Sequence, residues 1–416
     1  MNDDVERDDD VRGWLSSVEP PEMGLNVAGA IKAGQARVRR RRLAVTGAAA
    51  VAALAVAAVP AVAANLPRPG GGAPAPGAQS SAAASANPVS CTATPLAIPD
   101  GLKSKGARDG LVTVAAVDPS GRYVVAETHG SVNNSPAVVL WTDGEPVILP
   151  TEGESVTPVA VNAHGVVVGT GWLKAAPPMS GEFAWIYSGG KASRLTMPVG
   201  YTQDISINAV SEAGAVLGTV YTSGRSHQTV VLWPAGTPDQ PQILSALSDK
   251  SIQGVWFGSD GEPVAWSRSS SNAVLWSADG KRRTLKVPAG ASAWSLEAVR
   301  GSWAVGWAEI DKKSKTRGRP LTPLRWDLRT GALTTLPAGE RKKAVDVDPA
   351  GDVLLWTSIV RADGREVELA APDGRSPFAV GFTDSGTTVV GRTVVDEAVD
   401  IAQVGAVPEV ETIWYC

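Results

Sequence analysis

The stretch Ala160–Trp172 reads AVNAHGVVVGTGW. It has relatives in AVDPSGRYVVAE from Ala116 and AVSEAGAVLGTV from Ala209. Looser copies are FGSDGEPVAWS from Phe257, AVRGSWAVGWA from Ala298, DVDPAGDVLLW from Asp346 and GFTDSGTTVVGR from Gly381. In each, an apolar run leads to a polar turn closed by glycine, and a second β-branched run follows. The turn glycines are Gly121, Gly165, Gly214, Gly261, Gly351 and Gly386, with Gly301-Ser302 standing in once. Only glycine takes positive φ without strain, so the pattern reads as strand, tight turn, strand.

A second element follows each copy: AVVLWTDGEPVILP, FAWIYSGGKASRLTMP, VVLWPAGTPDQPQILS, AVLWSADGKRRTLKVP and PLRWDLRTGALTTLP. Aligned by letter, Trp141, Trp185, Trp233, Trp276 and Trp326 share one place, at spacings of 44, 48, 43 and 50 residues. Each unit therefore holds four short strands, and about seven units run from residue 91 to residue 416. Four strands per unit at this period predict an all-β fold, a roughly seven-bladed β-propeller. The sixth unit reads as truncated after REVELAAPDG (365–374). The run CTATPLAI (Cys91–Ile98) has no blade of its own and is expected to complete the last one beside VETIWYC (Val410–Cys416), so that no edge strand is left open. A disulfide between Cys91 and Cys416 would lock that seam, as an even pair bracketing one exported domain usually does.

The pattern A-x-N-x-x-G-x-V-V-G followed by an aromatic-Leu-Trp-x-x-Gly element resembles the HAF-type extracellular repeat of bacterial envelope proteins. The likeness covers residues 111–337 well and 342–416 loosely. It implies a repeat type and no activity. Trp326-Asp327 also looks like the WD dipeptide of WD40 blades, but no other unit has it and no Gly-His partner precedes it.

Upstream of the repeats the composition changes three times. Residues 1–42 are polar and end in RVRRRR (Arg37–Arg42). Residues 43–64, LAVTGAAAVAALAVAAVPAVAA, are 22 without charge, about 33 Å as a helix and enough to cross a bilayer. The basic flank predicts a single-pass membrane protein with its N-terminus cytoplasmic and its C-terminal domain outside. Ala61-Val62-Ala63 also fits a signal-peptide cleavage site, so an uncleaved anchor and a removed leader both stay open. Residues 65–90, rich in Pro, Gly and Ala, predict a disordered linker.

The net charge of −4 offers no case for nucleic-acid binding, and the repeats suggest a monomer. Candidate chemistry is sparse. His129, His164 and His227 share no blade position, and the Gly165/Gly169/Gly171 run lacks the helix that a phosphate loop needs. Asp118, Asp346 and Asp348 invite a calcium reading, but turn capping explains them equally. There is no G-x-S-x-G elbow and no S-x-D-x-G-x-x-W box. No catalytic, metal or cofactor residue is assigned, and no cofactor is expected. Trp172, Trp256, Trp266, Trp294, Trp303, Trp307 and Trp356 lie off the repeat register and are candidates for a face or the channel.

The clearest departure from the repeat is the insertion EIDKKSKTRGRP (Glu309–Pro320). Lys312, Lys313, Lys315, Arg317 and Arg319 make it a candidate contact for an anionic surface, such as a cell-wall polymer or an acidic partner. The expected function is binding or scaffolding for an envelope ligand or protein partner. Two alternatives stay open: a sensor signalling through residues 1–42, and a propeller hydrolase or lyase.

Overall fold

The computed structural model describes residues 90–416 except for short connections, the longest being 103–110, 130–135, 174–180, 222–227, 311–320 and 396–408. Segments 1–42, 43–64 and the linker to residue 89 lie outside the described residues. Among the described residues no helix is long and apolar enough to cross a membrane.

The strands form seven separate sheets of four. Blades 1 to 6 are contiguous in sequence, at 111–149, 155–194, 203–243, 252–286, 293–335 and 344–368. Blade 7 takes Arg375–Phe382, Thr388–Val395 and Val410–Tyr415 from the C-terminal end and Thr92–Pro95 from the other side of the ring. The ring thus closes as the sequence predicts, with Thr92 paired to Tyr415 and Pro95 to Thr412. Cys91 and Cys416 form the expected disulfide. The sixth unit is a complete blade rather than a truncated one. Its third and fourth strands, Ser358–Val360 and Glu366–Glu368, are three residues each and lack tryptophan, which hid them from the repeat.

Two ends of the ring follow from strand direction. At the turn end the innermost strand of each blade turns into the second. At the crossover end the second strand passes to the third, and each outer strand passes to the next blade. Gly165 shows what the turn demands. Its φ is 72°, and an added Cβ would lie 2.9 Å from the Tyr123 ring of the preceding blade. The glycine is needed both for the turn and for the approach of two blades.

Every innermost strand also carries a bulge. The ladder slips between Val114 and Ala116, Pro158 and Ala160, Ile207 and Ala209, Ile252 and Gly254, Leu296 and Ala298, Ala344 and Asp346, and Ala379 and Gly381. The extra residue is free of the ladder and twists the strand. In blades 1, 2 and 6 it is Ala115, Val159 or Val345, each buried in a cluster shared with the next blade.

The tryptophans divide into two kinds. Trp141, Trp233, Trp326 and Trp414 are fully buried, and each indole N–H donates to a carbonyl at or just past the end of the preceding outer strand. The acceptors are Ala97, Thr196, Lys286 and Ala370, all at 2.7 Å. They staple blades 7 to 1, 2 to 3, 4 to 5 and 6 to 7. Trp185 and Trp276 do not share this place. Tyr187 pairs with Val167 where Trp233 pairs with Val216, which leaves Trp185 two residues early. Trp276 is likewise two residues early, pairing with Ala265 as Trp185 pairs with Gly169, and it is half-buried and bonded to Ser267 of its own blade.

Candidate functional site

At the turn end, acidic groups gather around the axis and each has a structural task. Asp118 accepts from the N–H groups of Ser120 and Tyr123 at 2.8 and 2.6 Å. Asp348 accepts from Asp352 N–H at 2.9 Å. Both cap their own turns, which removes the calcium reading of these residues. Asn162 caps the turn of His164 and donates to the Ser211 carbonyl of blade 3 at 2.8 Å. Glu212 accepts from Ala163 N–H, and burial raises its carboxyl above the usual range.

Arg300 crosses this end of the ring. From blade 5 its Nη1 donates to the Phe382 carbonyl of blade 7 at 3.0 Å and lies 3.3 Å from Asp384; its Nη2 is 3.7 Å from Asp346 of blade 6. Burial pushes the Asp346 carboxyl up to about 6 against the pull of Arg300 and of the Val347 and Phe382 N–H groups. The cluster is a clamp on blades 5, 6 and 7. Among the described residues no group of three or more His, Cys, Asp or Glu could hold a metal ion.

The crossover end differs from the repeat in a way that capping does not explain. In the second strand, the residue after the last pair before the bulge is Glu127, Thr170 and Thr219 in blades 1 to 3. In register from the turn, the same position in blades 4 to 7 is Trp266, Trp307, Trp356 and Arg392, the slip of blade 4 lying two pairs farther out. Facing them on the innermost strand are Thr113, Thr157, Ser206 and Ser295, then Lys343 and Phe378 in blades 6 and 7. One half of this layer is polar, and the other is aromatic and cationic.

The large half is continuous. Trp307 Nε1 donates to Glu297 at 2.6 Å, and Lys343 Nζ lies 3.1 Å from the same oxygen. That ammonium is 5.7 Å from the ring centres of both Trp307 and Trp356. Trp356 stacks on Phe378 at 4.6 Å, Arg392 sits 5.3 Å from Phe378, and Arg392 pairs with Glu409 at 2.7 Å. Glu297 is the bulge residue of blade 5, where blades 1, 2 and 6 have Ala or Val.

Blade 4 adds positive charge. Arg268 lies 4.5 Å over Trp294, which itself packs on Trp266 at 5.9 Å. Beside them, between blades 4 and 5, is a groove of about 490 Å³ lined by Asn272, Lys286, residues 287–291 and Trp294. Arg282, Arg283 and Lys286 are exposed along the outer strand that leads into it. The predicted contact residues Lys312, Lys313, Lys315, Arg317 and Arg319 lie outside the described residues. Their insertion joins Trp303–Glu309 to Thr322–Asp327, at the crossover end of blade 5.

Sequence reading set Trp266, Trp294, Trp307 and Trp356 among candidates for a face or the channel, of which Trp266 and Trp294 are buried in the core, and missed Glu297, Lys343 and Arg392. The signal was present as departures from Thr or Ser in one column of the repeat, but the column emerges only once the bulge fixes the register.

No known family profile matches the chain, and no curated protein sequence matches it. Solved structures that align with it include an oligogalacturonate lyase in complex with manganese, at 10% identity over 78% of this chain and 98% of that one, with a TM-score of 0.49. Virginiamycin B lyase from Staphylococcus aureus aligns at 12% identity over 78% and 99%, with a TM-score of 0.44. The β-propeller domain of the Trilobed protease from Pyrococcus furiosus aligns at 12% over 68% and 91%, also with a TM-score of 0.44. Likenesses at this level carry nothing over to the chemistry of this chain, whose architecture rests on its own seven sheets.

Proposed function

We propose that the chain is a membrane-anchored, extracytoplasmic propeller of the HAF-repeat type that acts as a binding module for an anionic envelope polymer. The cation-rimmed groove of blades 4 and 5 is the observation that supports this reading. Lys286 lines the groove, Arg268 lies over its Trp294, and Arg282 and Arg283 are exposed on the strand that leads into it, with apolar residues 287–289 and 291 as its ground, which suits a chain of anionic groups on an organic backbone. The basic insertion Lys312–Arg319 leaves blade 5 at the same end and would extend the footprint. Residues 43–64 serve as the anchor, residues 1–42 stay inside, and the linker holds the propeller clear of the membrane.

The test uses the full-length chain and poly(glycerol phosphate) as the probe polymer. Neutralising Arg268, Arg283 and Lys286 to Gln should weaken binding roughly tenfold at low salt, and raising salt should weaken the wild type in the same way. On intact cells, added protease should remove the propeller and spare residues 1–42. Binding indifferent both to salt and to the triple variant would sink the polymer reading, and a protected propeller would sink the topology.

A further inference from the structure

The contact among Glu297, Lys343, Trp307 and Trp356 departs from the repeat at every member. Glu297 stands at the bulge position that holds the uncharged Ala115, Val159, Asn208 and Val345 in other blades. Lys343 stands where Thr113, Thr157, Ser206 and Ser295 stand. The fold is therefore built without these groups elsewhere in the same ring. A buried ion pair does not explain them as a stability device, because well-packed apolar residues do as well or better at such positions. Glu297 has 4% of its side chain exposed and Lys343 has 13%.

The arrangement has the chemistry of an ammonium receptor. Two indole rings and a carboxylate surround one cation, within the range where a ring face attracts positive charge. Their positions do not depend on the lysine. The Trp307 N–H fixes the carboxylate, and stacking on Phe378 fixes Trp356. The cage is thus preorganised by its own walls. Lys343 enters on a flexible four-carbon stem from just before the innermost strand of blade 6, and a rotation of that stem would return its head to solvent.

We infer that Glu297, Trp307 and Trp356 form a binding cage for an organic ammonium ion, which the chain fills with its own Lys343, and that an ammonium-bearing ligand binds by displacing that side chain. This inference stands apart from the cation-rimmed groove of blades 4 and 5, since it uses different residues and opposite charge.

The decisive variant is Lys343→Ser, which restores the residue type that the repeat itself uses at this position. Tetramethylammonium chloride is titrated into the full-length chain against matched sodium chloride, with tryptophan fluorescence as the readout. Lys343→Ser should bind tetramethylammonium at least roughly tenfold more tightly than the wild type. Adding Glu297→Gln should abolish the gain, and the neutral isostere 3,3-dimethylbutan-1-ol should bind the variant roughly tenfold less well than the cation does. A Lys343→Ser protein with an unchanged melting transition that binds no tighter than the wild type overturns the inference, as does a gain indifferent to Glu297→Gln. Should the variant not fold, the wild type decides: tetramethylammonium must move the Trp307 indole N–H resonance, and a resonance that stays put rejects the cage.

Discussion

Asp346 shows how one side chain ties stability to pH. Its carboxyl titrates at about 6 in the fold, against 3.8 ordinarily, because burial disfavours the charge more than Arg300 and two N–H groups favour it. The folded chain then binds this proton more tightly than the unfolded chain, so stability grows as pH falls through 6 towards 4. A displacement of this size is worth about 3 kcal/mol between the two limits. Asp348, also pushed up to about 6 by burial, acts in the same direction. The melting temperature should therefore rise from pH 7.5 to pH 5, and Asp346→Asn should flatten part of that slope. Calorimetry at the two pH values checks it, and a wild type less stable at pH 5 would contradict the clamp as described. None of this was legible in the sequence. The motif DVDPAG marks Asp346 and Asp348 alike as turn residues, whereas only the ring places an arginine from blade 5 against the first of them.

Among elements, the third strand distinguishes one blade from another. Trp326 bonds across to the Lys286 carbonyl, while Trp276 bonds within its own blade and stays half-buried. Replacing Trp326 with Phe removes a donor to a carbonyl at a blade interface and leaves a small void, at about 2 kcal/mol. The same change at Trp276 should cost under about 1 kcal/mol, since its partner is a hydroxyl that water can serve. Urea titrations of the two variants provide the comparison; equal losses would mean that the inter-blade bond contributes nothing particular. The period of the repeat was legible because turn glycine and apolar strand recur together. Its register was not. A tryptophan shifted by two residues keeps its letter in an alignment, yet it lands in another row of the sheet. The half-ring of Trp266, Trp307, Trp356 and Arg392 was hidden for the same reason, since its members share a ladder position and no motif.

For the molecule as a whole, closure is the central constraint. The outer strand of blade 7 comes from residues 92–95, its other strands lie near the far end of the sequence, and the disulfide joins positions 325 residues apart. This much was readable beforehand, because a seven-unit count with a stray apolar run and two bracketing cysteines has few other solutions. Reduction, or Cys91→Ser with Cys416→Ser, should lower stability by up to about 5 kcal/mol, seen as a lower melting temperature, while the far-ultraviolet spectrum of the sheets persists. Unchanged melting would mean that strand pairing alone holds the seam. Binding residues were less accessible to sequence reading. The proposed cage and the groove join groups from neighbouring blades that touch only when those blades pack.

The seam also has a mechanical side. Residue 91 is where the linker meets the propeller, one position before a four-residue strand on the rim of a sheet. A strand pulled from its end peels one hydrogen bond at a time, the least resistant way to load a ladder. Here the covalent bridge takes a pull at the first residue and passes it to Cys416, and so to the strand that lies between two neighbours. A tether fixed at this point is spliced into the interior of the blade, and tension on it tightens against paired strands instead of unzipping the rim.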